Sequence, residues 1–355
     1  MSIFRGPGRG RAMLRFVFAA AYFIVALRLA DSAAQWYSFG VAYPLVRNLL
    51  QLFLEVIGFG YMGLAFDGAR QPLRAMGLAR RPGWLREFAL GAAIGWGMIT
   101  AIVLILALSG ALYVHFWWTP RAFVLLAIQL GVLAVGALAD EVAFRGYPFQ
   151  RLLEVLGPFS ATVMAGVFFA LLRMESPEAG TAGIWGSGIA AVLLSVAYLR
   201  TRALWLPWGL HFAWLASMGA LFGLPLAGST QAATVVQTET YGPLWMTGGD
   251  YGPEASWLAV GVLLAGLYVL VRATRDLSWQ YNQPELRPAG IAVEIHHSAP
   301  APQSVQAEQP GPQLVQIATL ASARPAAAGA GSPSAPQSPG PSAETKSSDG
   351  GPVSS

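Results

Sequence analysis

The sequence is short of several residue types, and each shortage excludes a class of protein. It has 355 residues and no cysteine, which excludes disulfides, thiolate nucleophiles and cysteine-ligated metals. Charged residues make up 11% of the chain, whereas soluble domains carry about 25%. Lysine occurs once, at Lys346, so arginine carries nearly all of the positive charge. The shortage of charge excludes an ordinary soluble domain.

Apolar residues take the place of the missing charges. Hydrophobic residues amount to 55% and the mean hydropathy is +0.50, which is the composition of a membrane protein. The net charge of +4 and the pI near 9.5 do not indicate a nucleic-acid partner, because the arginines flank the apolar segments. The expected partner is instead the lipid bilayer. The richness in Arg, Ala, Gly and Pro is typical of a GC-rich bacterial genome, which predicts the bacterial cytoplasmic membrane.

Eight apolar segments are predicted to cross this membrane as helices. A helical span needs roughly 20 apolar residues, so the fifth and sixth segments are short for a span. Residues 180–188 between those two are predicted to be a loop. The predicted fold class is all-α, a polytopic transmembrane bundle of about eight helices with a disordered C-terminal tail. The segments are 12–30, 43–66, 88–113, 121–139, 160–172, 189–199, 204–224 and 257–271.

These segments divide the chain into four parts. Residues 1–11 form a basic N-terminus, 12–84 hold the first transmembrane helices, 85–275 carry the polar motifs described below, and 276–355 form a tail rich in Pro, Ala and Ser. The tail has too little apolar surface to offset its ordering entropy, so we expect it to be disordered. Basic residues occupy alternate connections between the spans, which predicts that both termini are cytoplasmic.

The most informative stretch is residues 140–146, DEVAFRG, at the end of the fourth segment. An ionisable residue near the hydrocarbon core costs a few kcal/mol, so its presence needs a reason. On a helix, Glu141 and Arg145 are four residues apart and share a face. Asp140 lies about 100° from Glu141, so both carboxylates can reach one cavity. Two interpretations stay open: an acid/base site, or an ion pair at a helix end.

Polar residues in other segments extend this motif. Phe169 and Arg173 share a face of the fifth segment, and His211 lies early in the seventh. A single membrane histidine is often only a hydrogen bonder between helices. Together with the acids at 140 and 141, however, it favours a functional site.

Two further polar residues have weaker functional interpretations. Glu55 in the second segment either lines a polar interior or pairs with a buried donor. His115 precedes Trp117 and Trp118 and is expected at the membrane interface. No inverted repeat is visible, which argues against a small-solute transporter.

Three motifs resemble those of the CPBP intramembrane metalloproteases, which include the type II CAAX prenyl endopeptidases and lysostaphin-resistance-type bacterial proteins. The family patterns are E-E-x-x-x-R, F-x-x-x-H and H-x-x-x-N on three helices of an eight-helix bundle. Residues 140–146 resemble the first, 169–173 the second and 204–214 the third. Residues 247–254, TGGDYGPE, resemble a loop common in bacterial members. The resemblance covers roughly residues 85–275.

The resemblance implies roles for four residues of the site. Glu141 would be the general base, Asp140 its partner, His211 a metal ligand or oxyanion stabiliser, and Arg145 a structural counter-ion. It also implies that a water is activated either directly or through a divalent metal such as zinc, with Glu141 and His211 as ligands. Adjacent carboxylates on one helix seldom converge on one ion, so a zinc site is doubtful here.

The chain departs from the family pattern at two positions. The histidine of the second motif is Arg173, and the asparagine of the third is Leu215. Arginine has no lone pair with which to bind a metal or take a proton, and leucine donates no hydrogen bond. Arg173 would therefore either stabilise an oxyanion in a metal-free site or form a fixed ion pair with Glu141 that closes the site.

The predicted function is that of an integral membrane endopeptidase that hydrolyses a peptide bond presented from the cytoplasmic side. Its substrate would be a peptide or protein in the membrane. The alternative is a catalytically inactive homologue that binds peptides or partner membrane proteins. The depth of the site is left open, because Glu141 and His211 are expected near the cytoplasmic ends of their spans and Arg173 at the far end of its own. Either the fifth segment begins lower, or the site lies in a cavity at mid-membrane.

Overall fold

The computed structural model describes residues 8–37, 40, 42–229 and 235–277, and these fold into ten α-helices and one small sheet. The strands are β1 Leu112–Phe116 and β2 Val236–Thr240. The predicted tail at 276–355 lies outside the described residues apart from its first two. The helices are α1 Arg9–Tyr37, α2 Ala42–Asp67, α3 Pro72–Ala75, α4 Trp84–Leu108, α5 Pro120–Arg145, α6 Tyr147–Arg173, α7 Gly180–Thr201, α8 Trp205–Leu215, α9 Leu244–Thr247 and α10 Trp257–Ala273.

The all-α prediction is confirmed, and a helix corresponds to each of the eight predicted segments. Five helical stretches are long and apolar enough to cross a membrane, one of them the run Pro120–Arg173 that includes α5 and α6. The helix α10 is apolar but shorter. The helix α8 continues as a π-helix over Ala216–Leu221. The chain is therefore an integral membrane protein.

The fifth and sixth segments are longer than the sequence predicted. The helix α6 continues through Pro158 with a kink at Gly157, whose φ of 80° is favourable only for glycine. The predicted loop at 180–188 is wrong, because α7 begins at Gly180. Its glycines allow close packing: a Cβ at Gly188 would lie 3.1 Å from the carbonyl oxygen of Gly166 on α6.

Local sequence explains where the helices that carry the polar motifs begin and end. Before α5, the Thr119 hydroxyl accepts a hydrogen bond from the Ala122 amide at 3.2 Å, and Pro120 takes the first helical position. The helix ends at Gly146, where a Cβ would lie 2.3 Å from the Val142 carbonyl oxygen. The Ser256 hydroxyl caps α10 in the same way, accepting from the Ala259 amide at 3.0 Å.

The closest packing of two helices is between α4 and α8. A Cβ at Gly91 would lie 2.1 Å from the carbonyl oxygen of Leu206, and one at Gly95 would lie 2.4 Å from that of Leu210. Small residues at such positions let two membrane helices approach closely. Because Gly95 is near the midpoint of α4, the neighbouring Leu210 and His211 lie at mid-bundle depth.

Two apolar clusters form the core. One gathers residues of α4, α7, α8 and α10, including Ile102, Leu193 and Leu206, and the other gathers residues of α1, α2 and α6, including Phe59 and Phe149. The helices α5 and α7 contribute to both clusters. The strands β1 and β2 pair antiparallel, and β1 carries the exposed Tyr113 and Phe116. His115, expected at the interface, also lies on β1.

Candidate functional site

A cavity of about 390 Å³ lies among α5, α6, α7, α8 and the loop before α10. This volume is within the range of small-ligand sites. Most of its wall is apolar, so the few polar groups on it stand out. These are Asp140, Arg145, Arg173, Ser187, His211 and Glu254. Residues from all three predicted motifs therefore line one cavity.

The central contact of the site joins Glu141 on α5 to His211 on α8. The Nδ1 atom of His211 lies 2.9 Å from Oε1 of Glu141, a hydrogen-bond distance. The Glu141 side chain is 0% exposed, whereas that of His211 is 19% exposed and lines the cavity. Glu141 is not part of the cavity wall. It therefore lies behind His211 as seen from the cavity.

Arg145 is the second partner of Glu141. Its Nη1 lies 3.5 Å from Oε1 of Glu141, so the predicted pair four residues apart is confirmed. The Nη2 atom of Arg145 donates to the carbonyl oxygen of Ala191 at 3.3 Å, and its guanidinium lies 5.4 Å from the centre of the Phe169 ring. With Arg145 only 2% exposed, these contacts make the ion pair a fixed structural element.

The second oxygen of Glu141 is left without a partner. Oε2 is buried and has no hydrogen-bond partner among the described residues. An unsatisfied buried polar atom costs roughly 1–3 kcal/mol, so it is rare away from functional sites. Both side-chain partners of Glu141, His211 and Arg145, therefore contact the same oxygen, Oε1.

Asp140 lies on the cavity wall, in contrast to Glu141. The step of about 100° between neighbouring helical residues separates the two carboxylates. Asp140 interacts electrostatically with His211, Glu141 and Arg145. The expectation that both acids face one cavity therefore holds for Asp140 alone.

Arg173 has other partners than the sequence suggested. Its Nε donates to the Ser187 hydroxyl at 2.8 Å, and its Nη1 donates to the hydroxyl of Tyr251. No ion pair joins Arg173 to Glu141 in the described part of the chain, where Glu141 pairs with Arg145 and His211. The predicted closing ion pair is therefore absent. Burial raises the pKa of the Tyr251 phenol, so this partner of Arg173 is uncharged at neutral pH.

The loop at 247–254 contributes cavity residues that the three sequence motifs do not include. Oε1 of Glu254 accepts a hydrogen bond from Nε1 of Trp214 at 3.1 Å, and both side chains line the cavity. Three glycines of this loop have positive φ, which allows the compact turns that bring Tyr251 and Glu254 inward. The glycines of this loop are the sequence feature from which its compact turns could have been predicted. Leu215 also lines the cavity, as an apolar group.

Glu55 lies outside the cavity, in a separate buried cluster on α2. It is 0% exposed, and its Oε1 accepts a hydrogen bond from Nε2 of Gln51 at 2.9 Å. The prediction of a buried donor partner is thus confirmed. Its Oε2 has no hydrogen-bond partner among the residues described, and Glu55 interacts electrostatically with Asp140.

The donor set does not fit the zinc ion that the resemblance implied. No group of three His, Asp or Glu side chains in the described ranges could hold a metal. The Glu141 oxygen nearest His211 is shared with the Arg145 cation, and a cation, Arg173, stands where the family pattern has a second imidazole. Zinc sites of catalytic type use three protein ligands. We therefore derive no chemistry through a metal.

Comparison with known families supports the resemblance over the centre of the chain. Residues 122–217 match the family model of the type II CAAX prenyl endopeptidase Rce1-like proteins, which is consistent with the CPBP family. The matched range includes all three motifs but not the loop at 247–254. No curated protein and no solved structure matches the chain.

Proposed function

Because residues 122–217 form an Rce1-like region, we propose that this protein is an intramembrane endopeptidase that hydrolyses peptide bonds in the cavity. The observation that carries the proposal is the 2.9 Å contact between His211 and the buried Glu141 beside the cavity-facing Asp140. Peptides or proteins of the membrane would be the substrates, presented from the cytoplasmic side.

Asp140 is the proposed general base. Of the two adjacent carboxylates it is the one on the cavity wall, where a water and a peptide carbonyl can reach it. It would take a proton from the water while the water oxygen attacks the carbonyl carbon. When the C–N bond breaks, the same proton passes to the leaving amine. A positioned general base contributes roughly 10²–10⁴-fold to a rate. This assignment exchanges the roles that the family resemblance implied for Asp140 and Glu141.

His211 is the proposed oxyanion stabiliser. With both ring nitrogens protonated, Nδ1–H donates to Glu141 and Nε2–H is free to donate to the oxygen of the tetrahedral intermediate. The buried carboxylate of Glu141 stabilises the imidazolium, and Arg145 fixes Glu141. Such donors are worth roughly 10²–10³-fold in rate. Glu141 and Arg145 are therefore positioning residues.

The test is cleavage of a fluorogenic hydrophobic peptide library by the purified full chain and three variants. We expect Asp140→Asn to lower kcat about 10²–10⁴-fold and His211→Ala about 10²–10³-fold. Glu141→Gln keeps the hydrogen bond to His211 without the charge, so its loss should be smaller. If Glu141→Gln abolishes turnover while Asp140→Asn keeps it, the base role belongs to Glu141.

A second candidate function is binding of peptides or partner membrane proteins without cleavage. The apolar Leu215 and the cation Arg173 stand where the family patterns have a donor and an imidazole, which favours this candidate. The double variant Arg173→His with Leu215→Asn tests it. Turnover that appears only in this variant supports a binding protein, whereas turnover in the unaltered chain supports the endopeptidase.

A further inference from the structure

Arg173 differs from five other arginines of the bundle in the charge of its partners. Five arginines each pair with an acid, namely Arg15 and Arg151 with Asp67, Arg47 with Asp31, Arg81 with Glu87 and Arg145 with Glu141. The guanidinium of Arg173 instead donates to two uncharged hydroxyls, those of Ser187 and Tyr251. No described carboxylate forms an ion pair with it. The positive charge of Arg173 is thus left without a counter-ion.

This uncompensated charge lies on the wall of a mainly apolar cavity. Arg173 is half-buried, and its Nη2 makes no hydrogen bond within the described ranges. A charged group removed from water is costly unless an opposite charge is beside it. Glu254 shares the cavity, where its Oε1 accepts a hydrogen bond from Trp214, but it forms no ion pair with Arg173 in the described ranges. A ligand that brings a negative charge would therefore gain most at Arg173.

We propose that the cavity binds peptide ligands through a carboxylate and that Arg173 is the receptor for it. This inference rests on the proposed function for the identity of the ligand as a peptide. A planar guanidinium matches a carboxylate with parallel hydrogen bonds, and Ser187 and Tyr251 hold it in one orientation. The apolar wall, which includes Phe144, Leu194 and Leu263, suits hydrophobic side chains beside the carboxylate.

The carboxylate has two possible sources, the free C-terminus of the peptide or an acidic side chain. In either case Arg173 contacts the bound ligand and takes no part in proton transfer, because a guanidinium has no lone pair. Arg173 is then a specificity residue. This role differs from both roles that the sequence suggested for it, the oxyanion stabiliser and the closing ion pair.

The test is to measure, by calorimetry, how tightly the full chain binds three short peptide probes. The chain carries Asp140→Asn so that the probes are not cleaved during the measurement. The probes are N-acetyl-trileucine as the free acid, the same peptide as its C-terminal amide, and an amide with aspartate as its middle residue. A charge-assisted hydrogen bond is worth roughly 1.5–3 kcal/mol, so we expect the free acid to bind about ten- to a hundredfold more tightly than the plain amide. Tight binding of the aspartate probe would identify a side chain as a second source of the carboxylate.

Variants at Arg173 complete the test. Arg173→Gln should abolish the preference for the acid, and Arg173→Lys should keep part of it. Arg121→Gln is the matched control, because Arg121 is an exposed arginine at the start of α5. If the Asp140→Asn chain, with Arg173 intact, binds all three probes with equal affinity, the proposal is overturned. This outcome does not depend on whether Arg173→Gln folds.

The outcome is separable from that of the proposed function. A protein that prefers the acid through Arg173 but cleaves no peptide keeps this inference and loses the endopeptidase. A protein that cleaves peptides without any preference for a carboxylate loses this inference and keeps the endopeptidase.

Discussion

At the scale of single residues, the stability of the site depends on how the charge of Glu141 is balanced. Glu141 is fully buried, and its Oε1 is 2.9 Å from His211 and 3.5 Å from Arg145. Burying a charge is unfavourable unless an opposite charge and hydrogen bonds compensate for it. Arg145 supplies the permanent positive charge, since arginine does not lose its proton in proteins. Glu141 and Arg145 therefore form a structural ion pair, and His211 is its neighbour on the cavity side.

Removing Arg145 should destabilise the protein strongly. We expect Arg145→Ala to lower the free energy of unfolding by about 3–5 kcal/mol, because it leaves Glu141 buried without its permanent counter-ion. Denaturant unfolding of the detergent-solubilised protein measures this change. The exposed Arg121→Ala is the control and should stay within about 0.5 kcal/mol of the unaltered chain. Equal stability of the two variants would show that Arg145 does not compensate for Glu141.

At the scale of elements, the contact of α4 with α8 sets the position of His211. The carbonyl oxygen of Leu210 packs against Gly95, with no room for a side chain between them. His211 follows directly in the same helix. Any shift of α8 away from α4 would therefore change the distance between His211 and Glu141 on α5.

Two glycines on α4 form a matched pair for testing this contact. A Cβ at Gly95 would lie 2.4 Å from the carbonyl oxygen of Leu210, whereas one at Gly97 would have nothing within 4 Å. We expect Gly95→Ala to cost about 1–3 kcal/mol by overpacking and to lower any activity of the site. Gly97→Ala should be neutral or stabilise the helix by about 0.5–1 kcal/mol. Thermal unfolding of both variants checks this, and equal melting temperatures would contradict it.

The kink in α6 is the second element-scale feature that positions the site. Gly157 adopts a positive φ next to Pro158, and the helix then continues to Arg173. The sequence predicts only a short separate segment after this break. The kink instead lets one helix carry both Phe169, beside Arg145, and Arg173, on the cavity wall.

At the scale of the whole molecule, the long helices present apolar side chains outward. Phe18, Ile24 and Leu29 of α1 are all more than half exposed, as expected of residues that face lipid. Polar groups are collected inside, around the cavity and the Gln51–Glu55 pair. The described helices thus have apolar side chains on their outer surface as well as in the core, whereas a soluble domain covers its core with polar groups.

The absence of cysteine makes the predicted orientation directly testable. If the basic connections are cytoplasmic, Arg275→Cys after α10 should resist a membrane-impermeant maleimide in intact cells. Glu239→Cys on the exposed part of β2 should be labelled, because it lies on the opposite side of the bundle in an eight-span topology. Labelling after membrane permeabilisation is the control for both. The reverse pattern would overturn the prediction that both termini are cytoplasmic.

The sequence by itself determined that the chain is a helical membrane protein, because backbone groups in hydrocarbon must be paired internally and continuous apolar segments of about 20 residues achieve this as helices. It also identified the three polar motifs and the Glu141–Arg145 pair, since a spacing of four residues fixes a shared helical face. Only the tertiary structure decided that Asp140 faces the cavity and Glu141 does not, and that Arg173 bonds to Ser187 and Tyr251. Those contacts join helices and loops far apart in the chain, so they depend on how the helices pack and rotate against one another.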